Sequence, residues 1–204
     1  MDPVLFFKSL FLGLAIAAPL GPIGALCINR TLEHGFPAGV AGGLGTALAD
    51  GVYAALAALG FAAFSQMLGV IDVPLRLLGG AFMLWLGWKS LAPSPNRTAA
   101  SISAHDLIGT TAATFALTIT NPMTILSFAA IFAGLGLASG TGSGGAALVV
   151  IGVFFGSMLW WSLLSGGVAL ARHRLPPSFS LWVSRLSGVV LIAFGLWAIG
   201  SAFT

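Results

Sequence analysis

The sequence predicts an all-α integral membrane protein with six transmembrane helices, built as two inverted three-helix repeats in which helices one and four are broken. Three observations carry this expectation. Only 6% of the 204 residues are charged while 58% are hydrophobic. A soluble domain averages about 25% charged residues, so this chain could not cover its own surface in water. Its apolar stretches repeatedly reach the roughly 20 residues that span a bilayer core. The landmarks of the first half recur in the same order in the second.

Taken in order, the predicted spans are Val4–Ile28, Ala38–Phe64, Pro74–Leu91, Leu107–Leu135, Gly145–Ala171 and Leu181–Ala202. Span one is a long apolar run interrupted by Pro19, Gly21 and Pro22. Ala15-Ile16-Ala17 resembles a cleavage site for a secretory signal, but the apolar run continues past it and Asp2 offsets Lys8, so the segment reads as a membrane helix. Span two is rich in small residues around Gly45-Thr46. Span three opens with "RLLGGAFMLWLGW" from Arg76. The stretch "APSPNRTAASISAHD", residues 92–106, is rich in Pro, Ser and Ala and reads as a linker between a first repeat, 1–91, and a second, 107–204. Span four is interrupted at "TITNPMTI". An uncharged loop, "LASGTGSGG", precedes span five, which carries Gly156-Ser157 where span two carries Gly45-Thr46. Span six reads "RLSGVVLIAFGLW" from Arg185, in register with span three. An odd number of helices per copy makes consecutive copies face opposite ways, which is the plan of many secondary transporters.

Basic residues near span ends set orientation. Arg30, Lys89, Arg97, Arg172, Arg174 and Arg185 fall on one predicted side, Lys8 and Arg76 on the other. The first side is expected to be cytoplasmic, which puts both termini outside the cytoplasm. Arg76 and Arg185 read as interfacial anchors. The net charge of +3 gives no nucleic-acid footprint. The single cysteine, Cys27, excludes an internal disulfide and a dithiol relay.

The candidate site follows from what lipid forbids. A Pro or Gly break frees backbone groups at membrane depth, which is tolerated only where protein or a wet cavity satisfies them. Half-helix N-termini attract anionic groups such as a carboxylate, and C-termini attract cations. The breaks at Pro19, Gly21 and Pro22 and at Asn121 and Pro122 occupy matching places in the two halves, so they point to a transport site. Asp50 lies deep in span two, whereas Asp2, Glu33, Asp72 and Asp106 fall at ends or in loops. A charged Asp at the bilayer centre costs about 2.5–3.5 kcal/mol on insertion scales, so Asp50 is expected to face the bundle interior and to hold a proton or a substrate ammonium. The competing reading is a neutral Asp that joins helices by a hydrogen bond. Thr46 lies one turn before it and Tyr53 one turn after. Thr114, Thr118 and Asn121 share a face of span four, where the threonines could line the pocket or bond back to their own helix. Gly152 and Gly156 form a packing motif, and Trp160 and Trp161 lie inside span five.

No phosphate-binding loop, nucleophile–base pair or metal-ligand spacing occurs. Neither an enzyme nor an ATP-driven pump is expected, and no cofactor or metal.

The stretches "PLGPIGALCINRTLEHG", "GLGTALADGVYAALAALG", "LGGAFMLWLGWKSL" and "TNPMTILSFAAIF" resemble the LysE-type (LysE/RhtB) amino-acid exporter family over nearly the whole chain. The resemblance implies six spans, proton-driven efflux of amino acids or similar small metabolites from the cell across the plasma (inner) membrane, and homodimers. It carries the family's Gly-Pro break, span-two Asp and Asn-Pro break onto Gly21, Pro22, Asp50, Asn121 and Pro122. Leu20 interrupts the family's Pro-Gly-Pro, and Met123 stands where many members have Lys. The expected partners are therefore an amino acid, protons and the lipid bilayer, with no nucleic acid. The alternatives are a cation or metal exporter of the wider superfamily and a non-transporting membrane scaffold.

Overall fold

The computed structural model describes residues 2–19, 21–91, 103–121, 124–125, 127–128, 143–174 and 177–203. Among them there is no strand. Helix α1 runs Pro3–Ala17, α2 Pro22–His34, α3 Phe36–Leu91, α4 Ala104–Ile119, α5 Ser143–Ala171 and α6 Pro177–Gly200, with a short 3-10 turn at Arg172–Arg174 between the last two.

The starts and stops follow local chemistry. Asp2 caps α1 by accepting the amides of Val4 and Leu5, and Pro3 takes the first helical position, where no amide is needed. Pro22 opens α2 in the same way. That helix ends at Gly35, whose φ of 88° lies in the left-handed region that a side chain disfavours. Ser103 and Asp106 form a reciprocal capping box at the head of α4.

Among the described residues, three stretches are long and apolar enough to cross a membrane: Phe36–Ala58, Gly144–Ala171 and Leu181–Gly200. The pair α1 and α2, bent by 84° at the break, makes a fourth if it counts as one span. Two predicted spans, Ala38–Phe64 and Pro74–Leu91, are joined in one helix, α3, of 56 residues with Pro74 inside it. Straight, it would be about 84 Å long, against a hydrocarbon core of about 30 Å. It does not run straight. Gly45 lies against Thr111 and Phe115 of α4, while Gly79 lies against Thr120 at the other end of that helix. Those α4 positions are only about 13 Å apart, so α3 brings two arms to one short helix. The predicted span Leu107–Leu135 is helical from Ala104 to Ile119 and again at Thr124–Ile125 and Ser127–Phe128, and its remainder lies outside the described residues.

Small residues set the helix packing. The added Cβ of an alanine at Gly152 would meet Ser9 and the backbone of Phe6 and Leu10, and one at Gly156 would meet the backbone of Leu10 and Leu14. Helices α1 and α5 therefore lie parallel and in backbone contact. The first arm of α3 is parallel to α4, joined by Thr111 Oγ1 to the Ala41 carbonyl at 2.8 Å and Thr114 Oγ1 to the Gly42 carbonyl at 2.7 Å. The same arm is antiparallel to α5, with Gly39 against Ser165, Gly43 against Trp161 and Gly51 near Phe154. The second arm is antiparallel to α6, where Gly80 meets Gly195 and Gly87 meets Gly188.

Polarity is arranged as a bilayer demands. Ser9, Thr31, Thr46, Asp50, Thr114, Thr118, Ser157 and Ser165 are buried, while Phe7, Phe11, Leu163, Leu170, Trp182 and Leu196 are exposed. Lipid accepts apolar side chains and no unpaired polar group. Two apolar clusters form the core. One joins Leu26, Cys27, Leu117 and Trp161, and the other joins Tyr53, Phe128, Val149 and Val153.

Candidate functional site

Asp50 lies within the span Phe36–Ala58 and is 1% exposed. It faces α5, where Ser157 Oγ donates to its Oδ2 at 2.7 Å. The sequence expected an inward-facing carboxylate, and that is where it lies. Its partner was not singled out. The signal was present, because Ser157 holds the place in span five that Thr46 holds in span two.

The second break is stabilised by Tyr53. Helix α4 ends at Ile119, which leaves terminal carbonyls without the next turn to satisfy them. The Tyr53 hydroxyl donates to the Ile119 carbonyl. Its ring rests on Phe128, with centroids 5.4 Å apart. Beyond the break the Ile125 amide bonds the Asn121 carbonyl at 3.2 Å, so buried Asn121 opens the next helical turn. Asp50, Tyr53 and the broken end of α4 are thus neighbours through one turn of α3. Pro122 and Met123 lie outside the described residues.

The threonines bond back to their own helices. Thr46 Oγ1 donates to the Gly42 carbonyl at 3.3 Å and Thr118 Oγ1 to the Thr114 carbonyl at 2.8 Å. Each keeps only acceptor capacity for a ligand. Thr114 ties α4 to α3.

At the first break, Pro22 is buried and Pro19 is exposed. The Gly21 amide turns back to the Pro19 carbonyl at 3.0 Å. No side chain caps α2, and the space where a Cβ of residue 21 would point is open within 4 Å. The first residues of α2, Pro22, Ile23 and Gly24, are themselves buried. On α5, Trp160 Nε1, Trp161 Nε1 and Ser165 Oγ are buried without a hydrogen-bond partner among the described residues. Ser157, Trp161 and Ser165 are spaced by four, so they form one polar stripe along the face that meets α3. Buried polar groups of this kind are satisfied by water or a ligand. Among the described residues no group of three or more His, Cys, Asp or Glu side chains is placed to hold a metal ion.

The sequence profile of the LysE type translocators matches residues 14–201. The chain belongs to the LysE type translocator family. Over 203 residues it is 29% identical to the "Uncharacterized membrane protein YahN" of Escherichia coli (strain K12), covering 96% of this chain and 90% of that one. It is 24% identical to the "Putative amino acid efflux protein YcgF" of Bacillus subtilis (strain 168), covering 95% and 94%. It is 29% identical over 164 residues to the "Chemotactic transduction protein ChpE" of Pseudomonas aeruginosa, covering 77% of this chain and 78% of that one. No solved structure matches the chain. As a LysE type translocator the protein is a membrane transporter, and the family is one of translocators and not of enzymes.

Proposed function

We propose that this LysE type translocator is a secondary exporter of amino acids or similar small zwitterionic metabolites in the plasma (inner) membrane. The observation that carries the reading is Asp50, buried on the interface of α3 and α5, held by Ser157 and one turn from the tyrosine that satisfies the broken end of α4. A carboxylate kept there at a cost of a few kcal/mol has a use in binding a proton or a substrate ammonium. The efflux activity named for the Bacillus subtilis relative supports the direction and solute class.

In this reading Pro19, Gly21 and Pro22 open the start of α2 to the substrate carboxylate. Thr46, Thr118 and Asn121 offer polar contacts, Tyr53 and Pro122 shape the second break, and Asp50 couples the movement of a proton to that of the solute. Alternating access would rock two inverted three-helix halves around the site. The packing supports that symmetry. Span one against five and span two against four are both parallel, and span three against six pairs Gly80 with Gly195 and Gly87 with Gly188, a pattern unchanged when the halves are exchanged. Both termini would lie outside the cytoplasm, and the homodimer is carried over from the family resemblance.

The test is efflux from proteoliposomes loaded with the twenty amino acids, with and without an imposed proton gradient. Gradient-dependent loss of particular amino acids is expected. Retention of all of them under every gradient would overturn the reading.

A further inference from the structure

Helices α2, α3 and α4 border a half-open cavity of about 250 Å³ at the end of the molecule away from the breaks, lined by Arg30, His34, Ala38, His105, Asp106 and Thr110 among others. None of these residues belongs to the site around Asp50. Two of them carry opposite charges and do not meet. Arg30, on the last turns of α2, is only partly exposed and makes no hydrogen bond or ion pair among the described residues. A partly buried guanidinium without a hydrogen-bond acceptor has lost solvent, and the charge of Asp106 acting through space offsets only part of that loss. Asp106, across the cavity, is fixed by the capping box. Its Oδ2 accepts the Ser103 amide at 3.2 Å and the Ser103 hydroxyl at 2.6 Å, while Oδ1 makes no hydrogen bond among the described residues. Those bonds from Ser103 also hold the Asp106 carboxyl below the usual carboxylate range, so it is charged at neutral pH.

We propose that this cavity is a second binding site, a vestibule in which Arg30 takes the carboxylate and Asp106 the ammonium of a free amino acid before it reaches the Asp50 site. A guanidinium that takes an anion and a fixed carboxylate that takes an ammonium, set on different helices, select a zwitterion over a simple anion or cation. Thr110, whose hydroxyl bonds the Asp106 carbonyl at 2.9 Å, keeps lone pairs toward a ligand. On the predicted orientation this end faces the cytoplasm, the side from which an exporter loads. The assignment of the solute rests on the export reading. The same chemistry occurs in a phosphatidylethanolamine headgroup, which carries an anion and an ammonium.

The test is saturation-transfer NMR on the full-length protein in phosphatidylcholine nanodiscs, with an equimolar mixture of the twenty amino acids as probe. The Asp50→Asn variant serves as background, which disables the deeper site. Transfer to one or more amino acids is expected, with Arg30→Gln and Asp106→Asn each weakening it at least tenfold and Arg30→Lys retaining most of it. Asp106 is exposed, so its variant reports on binding even where Arg30→Gln fails to fold. No transfer in the Asp50→Asn background, or transfer indifferent to Asp106→Asn, overturns the vestibule and leaves the export reading intact. Loss of transfer when phosphatidylethanolamine is added to the nanodiscs assigns the cavity to a lipid headgroup and overturns it as well. Transfer that depends on Asp106, in a protein whose wild type exports nothing, keeps this site and sinks the export reading.

Discussion

Gly45→Ala is the substitution that most sharply tests how α3 and α4 hold the site. The added Cβ would overlap the Thr111 carbonyl and the Thr114 hydroxyl, and would stand 2.8 Å from the Phe115 amide nitrogen. Two of these are backbone atoms, so no rotamer relieves the clash. The helices must part by about 1 Å to restore carbon contact distances. The Thr111–Ala41 and Thr114–Gly42 bonds, at 2.8 and 2.7 Å, would then pass out of hydrogen-bonding range. Each such bond within a membrane is worth about 0.6–1.7 kcal/mol, and overpacking adds about 1–3 kcal/mol. Against this, alanine gains about 1 kcal/mol of helix propensity over glycine. The net loss is about 3 kcal/mol. Gly167→Ala is the control, since nothing lies within 4 Å of its added Cβ. It gains propensity alone and stabilises by up to about 1 kcal/mol. The assay is reversible unfolding in mixed micelles of rising dodecyl sulfate fraction, read by circular dichroism. A Gly45→Ala protein as stable as wild type would refute the close approach of α3 to α4 and the packing argument built on it.

Other substitutions probe the site itself. Ser157→Ala removes the donor to Asp50 and should slow initial efflux about tenfold, the equivalent of one charge-assisted hydrogen bond, with Ser157→Thr restoring most of the rate; efflux unchanged in Ser157→Ala would exclude a role for that bond. Tyr53→Phe keeps the ring on Phe128 but removes the donor to the Ile119 carbonyl, and should cost about 1–2 kcal/mol in the same unfolding assay. Ser103→Ala should lower the unfolding midpoint at pH 7 through loss of the α4 cap. Because the Ser103 bonds lower the folded Asp106 value, their contribution is present above the unfolded carboxylate value of about 3.9 and fades as pH falls through the folded one. The difference between Ser103→Ala and wild type should therefore shrink in acid, and a difference that grows there would contradict the assignment.

The parts of this structure that were legible in the sequence are those governed by local chemistry. Pro19 and Pro22 lack an amide, so the interruption between α1 and α2 could be placed to the residue. Asp50 could be read because one carboxylate in an apolar span is too costly to face lipid. Gly152 and Gly156 announced a close helix but not that it would be α1. Ser157 was harder, since a serine in an apolar helix is ordinary and its importance comes from Asp50 across the interface. The spacing puts Tyr53 one turn from Asp50, but its use in satisfying Ile119 depends on where α4 stops. The join between spans two and three was misjudged because Pro74 reads as a helix start, whereas the chain carries it inside α3, as bilayer helices do where neighbours compensate. Spacing left open whether Thr114 and Thr118 line the pocket or bond back to their own helix; Thr118 bonds back to its own turn, and Thr114 also reaches the Gly42 carbonyl of α3.

In the proposed mechanism Asp50 couples solute export to proton movement. The direct measurement is proton uptake and amino-acid loss recorded together in proteoliposomes carrying a pH-sensitive dye, for wild type, Asp50→Asn and Asp50→Glu. The account predicts that protons enter as the exported amino acid leaves, that Asp50→Asn stops both, and that Asp50→Glu retains coupled movement at a reduced rate. Undiminished amino-acid efflux by Asp50→Asn, with or without proton entry, would contradict it.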